Sequence, residues 1–283
     1  MAYVKPEQVL ESMIQTGVSK ANLSVKHLLI RGFLGGAILA CATTLAFTAT
    51  VQTKLGIVGA LVFPAGFVMI ILLGLELVTG SFALVPLGVL EGKTSRAKMI
   101  SSFFWVIVGH LIGCLFYAVF YYIAVTGFGH SHDNGVIQMI VNTAEAKTIG
   151  YKKLGMDGLI TVFVKAILCN WMVTLGAVMA MTSKSTLGKI AAMWLPLLIF
   201  FAQGFEHAVV NLFVIPAGMM FGAKVTFADW WLWNQIPVLI GNLIGGFTLT
   251  GLFLYLTHRK KTELLSTRTE NQSASAGLSM EKA

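Results

Sequence analysis

The sequence predicts an all-α polytopic membrane protein, with six transmembrane helices arranged as an inverted 3+3 repeat and two of the six interrupted at mid-membrane. Three observations carry this expectation. Charged residues are only 11% of the 283 and apolar residues 56%, with a mean hydropathy of +0.80, which excludes an ordinary soluble domain. Six apolar segments succeed one another, and the second and fifth are too long for a single crossing. Finally, Gly74-x-Glu76 followed by Pro86-x-Gly88 has the spacing of Gly204-x-Glu206 followed by Pro216-x-Gly218, an offset of 206 minus 76, or 130 residues.

At the N terminus, residues 6 to 19 place Val9, Leu10, Met13, Ile14 and Gly17 at helical spacing behind Pro6, which suits a first turn. This reads as a short amphipathic helix at the membrane surface, or else a solvated one. The first 27 residues hold no long apolar core, so no cleavable signal peptide is expected. The apolar segments run at His27 to Val51, Ile57 to Leu90, Met99 to Thr126, Leu159 to Thr182, Leu187 to Phe221 and Trp230 to His258. A continuous helix over the second or fifth would reach roughly 50 Å against a hydrocarbon core of about 30 Å. Each is therefore expected to break into two half-helices, around Glu76 to Ser81 and Glu206 to Asn211. Residues 1–26 are thus expected to form a cytoplasmic N-terminal helix, 27–258 the transmembrane domain, and 259–283, rich in Ser, Thr, Glu and Lys, a disordered cytoplasmic tail.

The formal charge of +8 comes from lysines and arginines in short loops, the pattern of the positive-inside rule and not of a nucleic-acid partner. Lys5, Lys20 and Lys26 precede the first span, Lys93, Arg96 and Lys98 come after the second, Lys184 and Lys189 after the fourth, and Arg259, Lys260 and Lys261 after the sixth, against Lys54, then Lys147, Lys152 and Lys153, then Lys224 in the other connections. This puts both termini in the cytoplasm of a multi-pass protein of the cell membrane. The repeat extends beyond the polar motif. Gly109-His-Leu-Ile-Gly113 recurs as Gly241-Asn-Leu-Ile-Gly245, and Ala37-Ile-Leu39 as Ala166-Ile-Leu168. Three spans per half is an odd number, so the halves enter the membrane with opposite orientation and their breaks meet near the midplane, a common way to build a substrate pathway. Gly32-x3-Gly36, Gly109-x3-Gly113 and Gly241-x3-Gly245 suit close helix packing within the chain.

Ionisable groups inside a span are costly unless they face protein or water. Glu206, His207 and Asn211 therefore need a reason to be there, and His207 reads as functional. Glu76 and Glu206 read as structural, accepting hydrogen bonds from backbone N–H groups freed at the breaks. Thr79 and Ser81 offer hydroxyls to a pathway. His130, His132 and Asp133 form a Gly-His-Ser-His-Asp cluster without a further ligand at metal-binding spacing, so a solvated loop is expected there and no metal. Cys41, Cys114 and Cys169 read as small buried apolar residues, and Trp230, Trp231 and Trp233 as an interfacial belt. The chain has no G-x4-G-K-[ST] loop, and neither ATP nor any other cofactor is expected.

Gly-Leu-Glu-Leu-Val-Thr-Gly from Gly74, Ile-Leu-Cys-Asn-Trp-Met-Val from Ile167 and Gly-Phe-Glu-His-x3-Asn from Gly204 closely resemble the formate/nitrite transporter family of prokaryotic membrane channels, over about residues 1 to 258. The resemblance implies a homopentamer of six-helix, aquaporin-like protomers, each with its own anion pore. It makes His207 the central pore histidine, Thr79 the threonine of the interrupted span-two loop, and Asn211 and Asn170 pore-associated asparagines. Phe63, Phe67 and Phe200 fall at constriction positions, with Phe67 bulkier than the aliphatic residue often found there. A lysine in the third-to-fourth connection draws in the anion. Lys147, Lys152 and Lys153 all fit, and Lys147 is preferred. The resemblance thus implies a transporter of small weak-acid anions, formate first, with protons as a second partner and nitrite, bicarbonate or hydrosulfide as alternative cargo. An intramembrane enzyme using Glu206 and His207 as acid and base is the remote rival, lacking a nucleophile or metal set.

Overall fold

The computed structural model describes residues 3 to 131 and 134 to 259; His132, Asp133 and all of the expected tail but Arg259 lie outside the described residues. Among those described, the regular elements are helical: α1 (Pro6–Ala21), α2 (Val25–Thr53), α3 (Gly56–Leu72), α4 (Val78–Leu90), α5 (Arg96–Thr126), α6 (Gly135–Glu145), α7 (Met156–Met181), α8 (Thr186–Ala202), α9 (Ala208–Met220) and α10 (Phe227–His258). α2, α5, α7 and α10 are the long apolar spans, and α3 with α4, and α8 with α9, are the two broken ones. Side-chain caps fix several starts. Ser24, Ser95 and Ser185 accept from the backbone N–H three residues on, Asn134 from Val136, and Thr226 forms a capping box with Asp229.

The two breaks are built alike. After α3, Gly74 takes a left-handed φ of 63°, and after α8, Gly204 takes 62°. In each case the N–H of the next residue returns to the helix, Leu75 to the Ile70 carbonyl at 3.0 Å and Phe205 to the Phe200 carbonyl at 3.2 Å, the six-to-one bond of a Schellman stop. Only glycine adopts that φ freely, so the recurrent glycine is what ends each half-helix. The breaks come earlier than expected, at residues 73–77 and 203–207. Thr79, Ser81 and Asn211 consequently sit in the first turns of α4 and α9 and not in loops, and Pro86 and Pro216 lie within those helices.

Chain direction gives the inverted arrangement. α2 leaves the face carrying the N terminus, and α10 returns to it. Val4 N–H bonds to the Thr182 carbonyl at 2.8 Å, and Arg259 pairs with Glu91, so both ends lie beside the short connections on that face. α5 packs on α2 through glycines: a Cβ on Gly113 would come 2.0 Å from the Phe33 carbonyl oxygen, and one on Gly36 2.6 Å from that of His110. α10 packs on α7 in the same way, a Cβ at Gly245 meeting the Ile167 carbonyl oxygen at 2.2 Å. These G-x3-G motifs thus work inside the chain, as expected.

The repeat contains one more element than the sequence indicated. α1 packs on α4, burying Val9, Leu10, Met13 and Ile14 against Leu84, Leu87 and Val178. It is thus a helix docked on the bundle by its apolar face. α6, in a connection for which the sequence indicated no element, packs on α9 with Val136, Ile137, Ile140 and Ala144 buried. α1–α5 and α6–α10 are therefore equivalent sets. Two other expectations change. Cys41 is exposed, unlike Cys114 and Cys169, and Trp230 is buried with its indole N–H donating to the Gln235 side-chain Oε1 at 3.1 Å, too enclosed for an interfacial belt.

Candidate functional site

Half-helices that start inside a bundle leave N–H groups without partners. Val78 N–H is accepted by His110 Nε2 at 3.1 Å, and Ala208 N–H by Asn242 Oδ1 at 2.9 Å. His110 and Asn242 each come directly after the first glycine of the recurring Gly-x-Leu-Ile-Gly motif, so one site of the repeat performs one task in both halves. Both lie near the middle of long spans, α5 and α10, which places the starts of α4 and α9 at mid-depth. Asn170, midway along α7, donates to the carbonyls of Thr79 at 3.1 Å and Asn242 at 2.6 Å, joining the two halves.

At this crossing Thr79 Oγ1 and His207 Nε2 are 3.0 Å apart, and both residues are buried. His207 caps α9, its Nδ1 accepting the Val210 N–H at 3.2 Å. A ring nitrogen that accepts carries no hydrogen, so the imidazole hydrogen is on Nε2 and donates to Thr79. The threonine hydroxyl keeps its own hydrogen to offer. The first half has Leu77 where the second has His207, which makes this centre asymmetric. Phe200 lies against the His207 ring with centroids 5.7 Å apart, and Phe63 meets Phe200 edge-on at 5.5 Å. Phe67 is fully buried one turn further along α3.

The glutamates do not accept the freed N–H groups as the sequence suggested, because His110, Asn242 and His207 take them. Each glutamate instead pairs with a lysine, Glu76 with Lys20 of α1 at 2.6 Å and Glu206 with Lys147, in the helical turn Ala146–Gly150 that follows α6, at 2.8 Å. Ser81 donates to Glu76 at 3.3 Å, and Asn211, its repeat equivalent, to Glu206 at 2.8 Å. Glu206 also accepts from Tyr151 at 2.8 Å and Asn234 at 3.2 Å. Burial, reinforced by the neighbouring carboxylate, raises the Tyr151 phenol well above its ordinary pKa, so it stays a donor. Of the three lysines weighed from sequence, Lys147 alone reaches this centre. Lys152 is held by Asp229 at 2.7 Å, and Lys153 is exposed. Lys20, His110, Asn242, Tyr151 and Asn234 were missed; the 132-residue offset from His110 to Asn242 was the available signal.

A cavity opens toward each ion pair. One of about 800 Å³ is lined by Lys147, Tyr151, Lys165, Gly204 and Glu206, and one of about 630 Å³ by Lys20, Gly74, Glu76 and Lys189. The first lies on the face opposite the termini and the second on the terminal face. Two mouths, aromatic rings and buried polar contacts between inverted halves define a membrane channel or transporter. The family model described as formate/nitrite transporter matches residues 7–256. The chain belongs to that family, whose members are channels and transporters and not enzymes, which removes the enzyme reading. It is 32% identical to an uncharacterized transporter, YrhG, of Bacillus subtilis, covering 92% of this chain and 96% of that one. It is 30% identical to the formate channel BtFdhC of Bacillus thuringiensis, covering 92% and 98%. A solved pentameric formate channel with formate bound superposes with a TM-score of 0.67 over 83% of this chain and 98% of that one, at 22% identity.

Proposed function

We propose that this chain carries formate across the cell membrane, one pathway per protomer of a homopentamer, with both termini in the cytoplasm and residues 27–258 forming the channel. The observation that carries the reading is the Thr79–His207 contact, a hydroxyl and an imidazole meeting between the two broken spans at mid-depth. A bare anion is excluded by the phenyl rings of Phe63 and Phe200, with Phe67 beyond them, because a charge in a low-dielectric passage is expensive. Thr79, accepting from His207, turns its own hydrogen toward the carboxylate. As the hydroxyl gives that proton to formate it takes the Nε2 hydrogen of His207, which water in the passage restores. The resulting small neutral acid passes the rings and releases the proton to water on the far side. Asn170 and Asn211 hold the two first turns in place. Lys147 and Lys20 hold the glutamates at the mouths. Formate is favoured by relatives that are formate channels, BtFdhC among them.

Purified protein in liposomes should take up labelled formate and acidify the lumen in step. A panel of nitrite, acetate, lactate, bicarbonate and hydrosulfide places formate in order. Absence of formate uptake with rapid nitrite uptake would overturn the substrate assignment.

A further inference from the structure

The charges lining the larger cavity do not balance. Its charged side chains are Lys147, Lys165 and Glu206. A carboxylate offers about four acceptor positions, and Glu206 receives Lys147, Tyr151, Asn211 and Asn234. Three of these donors fall on Oε2 and Tyr151 on Oε1, and the Lys147 charge is spent on Glu206 at 2.8 Å. Lys165 has no carboxylate partner among the described residues. It lies on α7, nine residues after Met156, roughly 14 Å along the helix axis at 1.5 Å per residue. An ammonium at that depth faces a water-filled space or a partner. What it has is the Tyr151 ring, with Nζ 5.8 Å from the centroid, a contact that steadies a cation without neutralising it. The Lys165 backbone is equally close to the break, its carbonyl accepting the Glu206 N–H at 3.4 Å.

We infer that Lys165 is the residue that recruits the small anion in the larger cavity, while Lys147, the residue the sequence favoured for that task, holds Glu206 in place. The Tyr151 side chain serves both, its hydroxyl on Glu206 and its ring beneath Lys165. This rests on the anion-transport reading above and names a specificity-determining residue within it. A fixed uncompensated cation in a low-dielectric cleft concentrates anions and raises their entry rate, an effect that salt screens.

The test is initial formate uptake at low micromolar concentration into liposomes, at low and high ionic strength, for wild type, Lys165→Met and Lys165→Arg. Lys165→Met is expected to lower uptake about 10-fold at low ionic strength and to approach wild type at high salt, with Lys165→Arg retaining uptake. Uptake by Lys165→Met equal to wild type at both salts overturns the inference while leaving formate transport standing. Equal loss in Lys165→Arg overturns it too, because shape and not charge would then be the cause. No uptake by wild type itself would instead reject the transport reading. Should Lys165→Met not assemble, Lys165→Cys in a Cys41→Ser background is modified after assembly. A cationic thiol reagent should restore uptake and an anionic one should not; equal effects of the two overturn the inference.

Discussion

The single-residue asymmetry at the crossing, His207 opposite Leu77, sets the expected behaviour of variants there. His207 caps α9 through Nδ1 and fixes Thr79 through Nε2. Asparagine can still cap a helix, but it cannot relay a proton. His207→Asn should therefore leave a folded protein with low formate uptake that no longer varies with pH, and His207→Phe one without pH-dependent switching of transport, both read as labelled formate uptake against pH in liposomes. A wild-type pH profile in His207→Asn would make the histidine a cap and nothing more. At Phe200, whose ring covers His207, alanine opens the passage. Acetate and lactate should then permeate Phe200→Ala at several times their wild-type rate, and Phe67→Ala is expected to do the same. Unchanged selectivity in both would remove the rings from the gate. The histidine was legible because a titratable group stands out in an apolar run next to a recurring glycine, whereas the phenylalanines were placed by the family resemblance. His110 and Asn242 were not, since nothing local says that a polar residue mid-span will meet an N–H brought from another helix.

At the scale of elements, α1 and α6 serve the two halves alike, each supplying or preceding the lysine that holds a buried glutamate. Their settings differ. Removing Lys147 leaves Glu206 with Tyr151, Asn211 and Asn234, while removing Lys20 leaves Glu76 with Ser81. Breaking a buried pair costs about 3–5 kcal/mol. Lys20→Met should reach that range and Lys147→Met fall below it, measured as midpoints of thermal unfolding in detergent. Equal losses would mean the extra donors around Glu206 contribute nothing. Deleting residues 1 to 20 removes Lys20 and uncovers the α4 face buried by Val9, Leu10, Met13 and Ile14. The six spans were readable from length and hydropathy alone. α6 was not, because Val136, Ile137, Ile140 and Ala144 make a stripe too short to register beside the long apolar runs.

The whole molecule presents large apolar side chains outward from its long spans, among them Ile30, Leu34, Leu45, Ile112, Phe116, Phe120 and Ile160. In the proposed assembly, lipid covers part of such a surface and neighbouring protomers cover the rest. Native mass spectrometry from mild detergent is expected to give five copies, and a monomer at all detergent concentrations would refute the pentamer. Taken by itself, the sequence determined the class, the six crossings, the inverted repeat and the two interruptions. These come from hydropathy over a known bilayer thickness, from an odd number of spans per half, and from glycine as the residue that tolerates a left-handed stop. Only the tertiary structure decided which groups satisfy the ends of the broken helices, that the glutamates are locked by lysines, and that Lys165 is left without a carboxylate among the described residues. The contacts behind these outcomes join groups 32 to 128 residues apart within about 3 Å, and a hydrogen bond of that length leaves no trace in the spacing of the residues that make it.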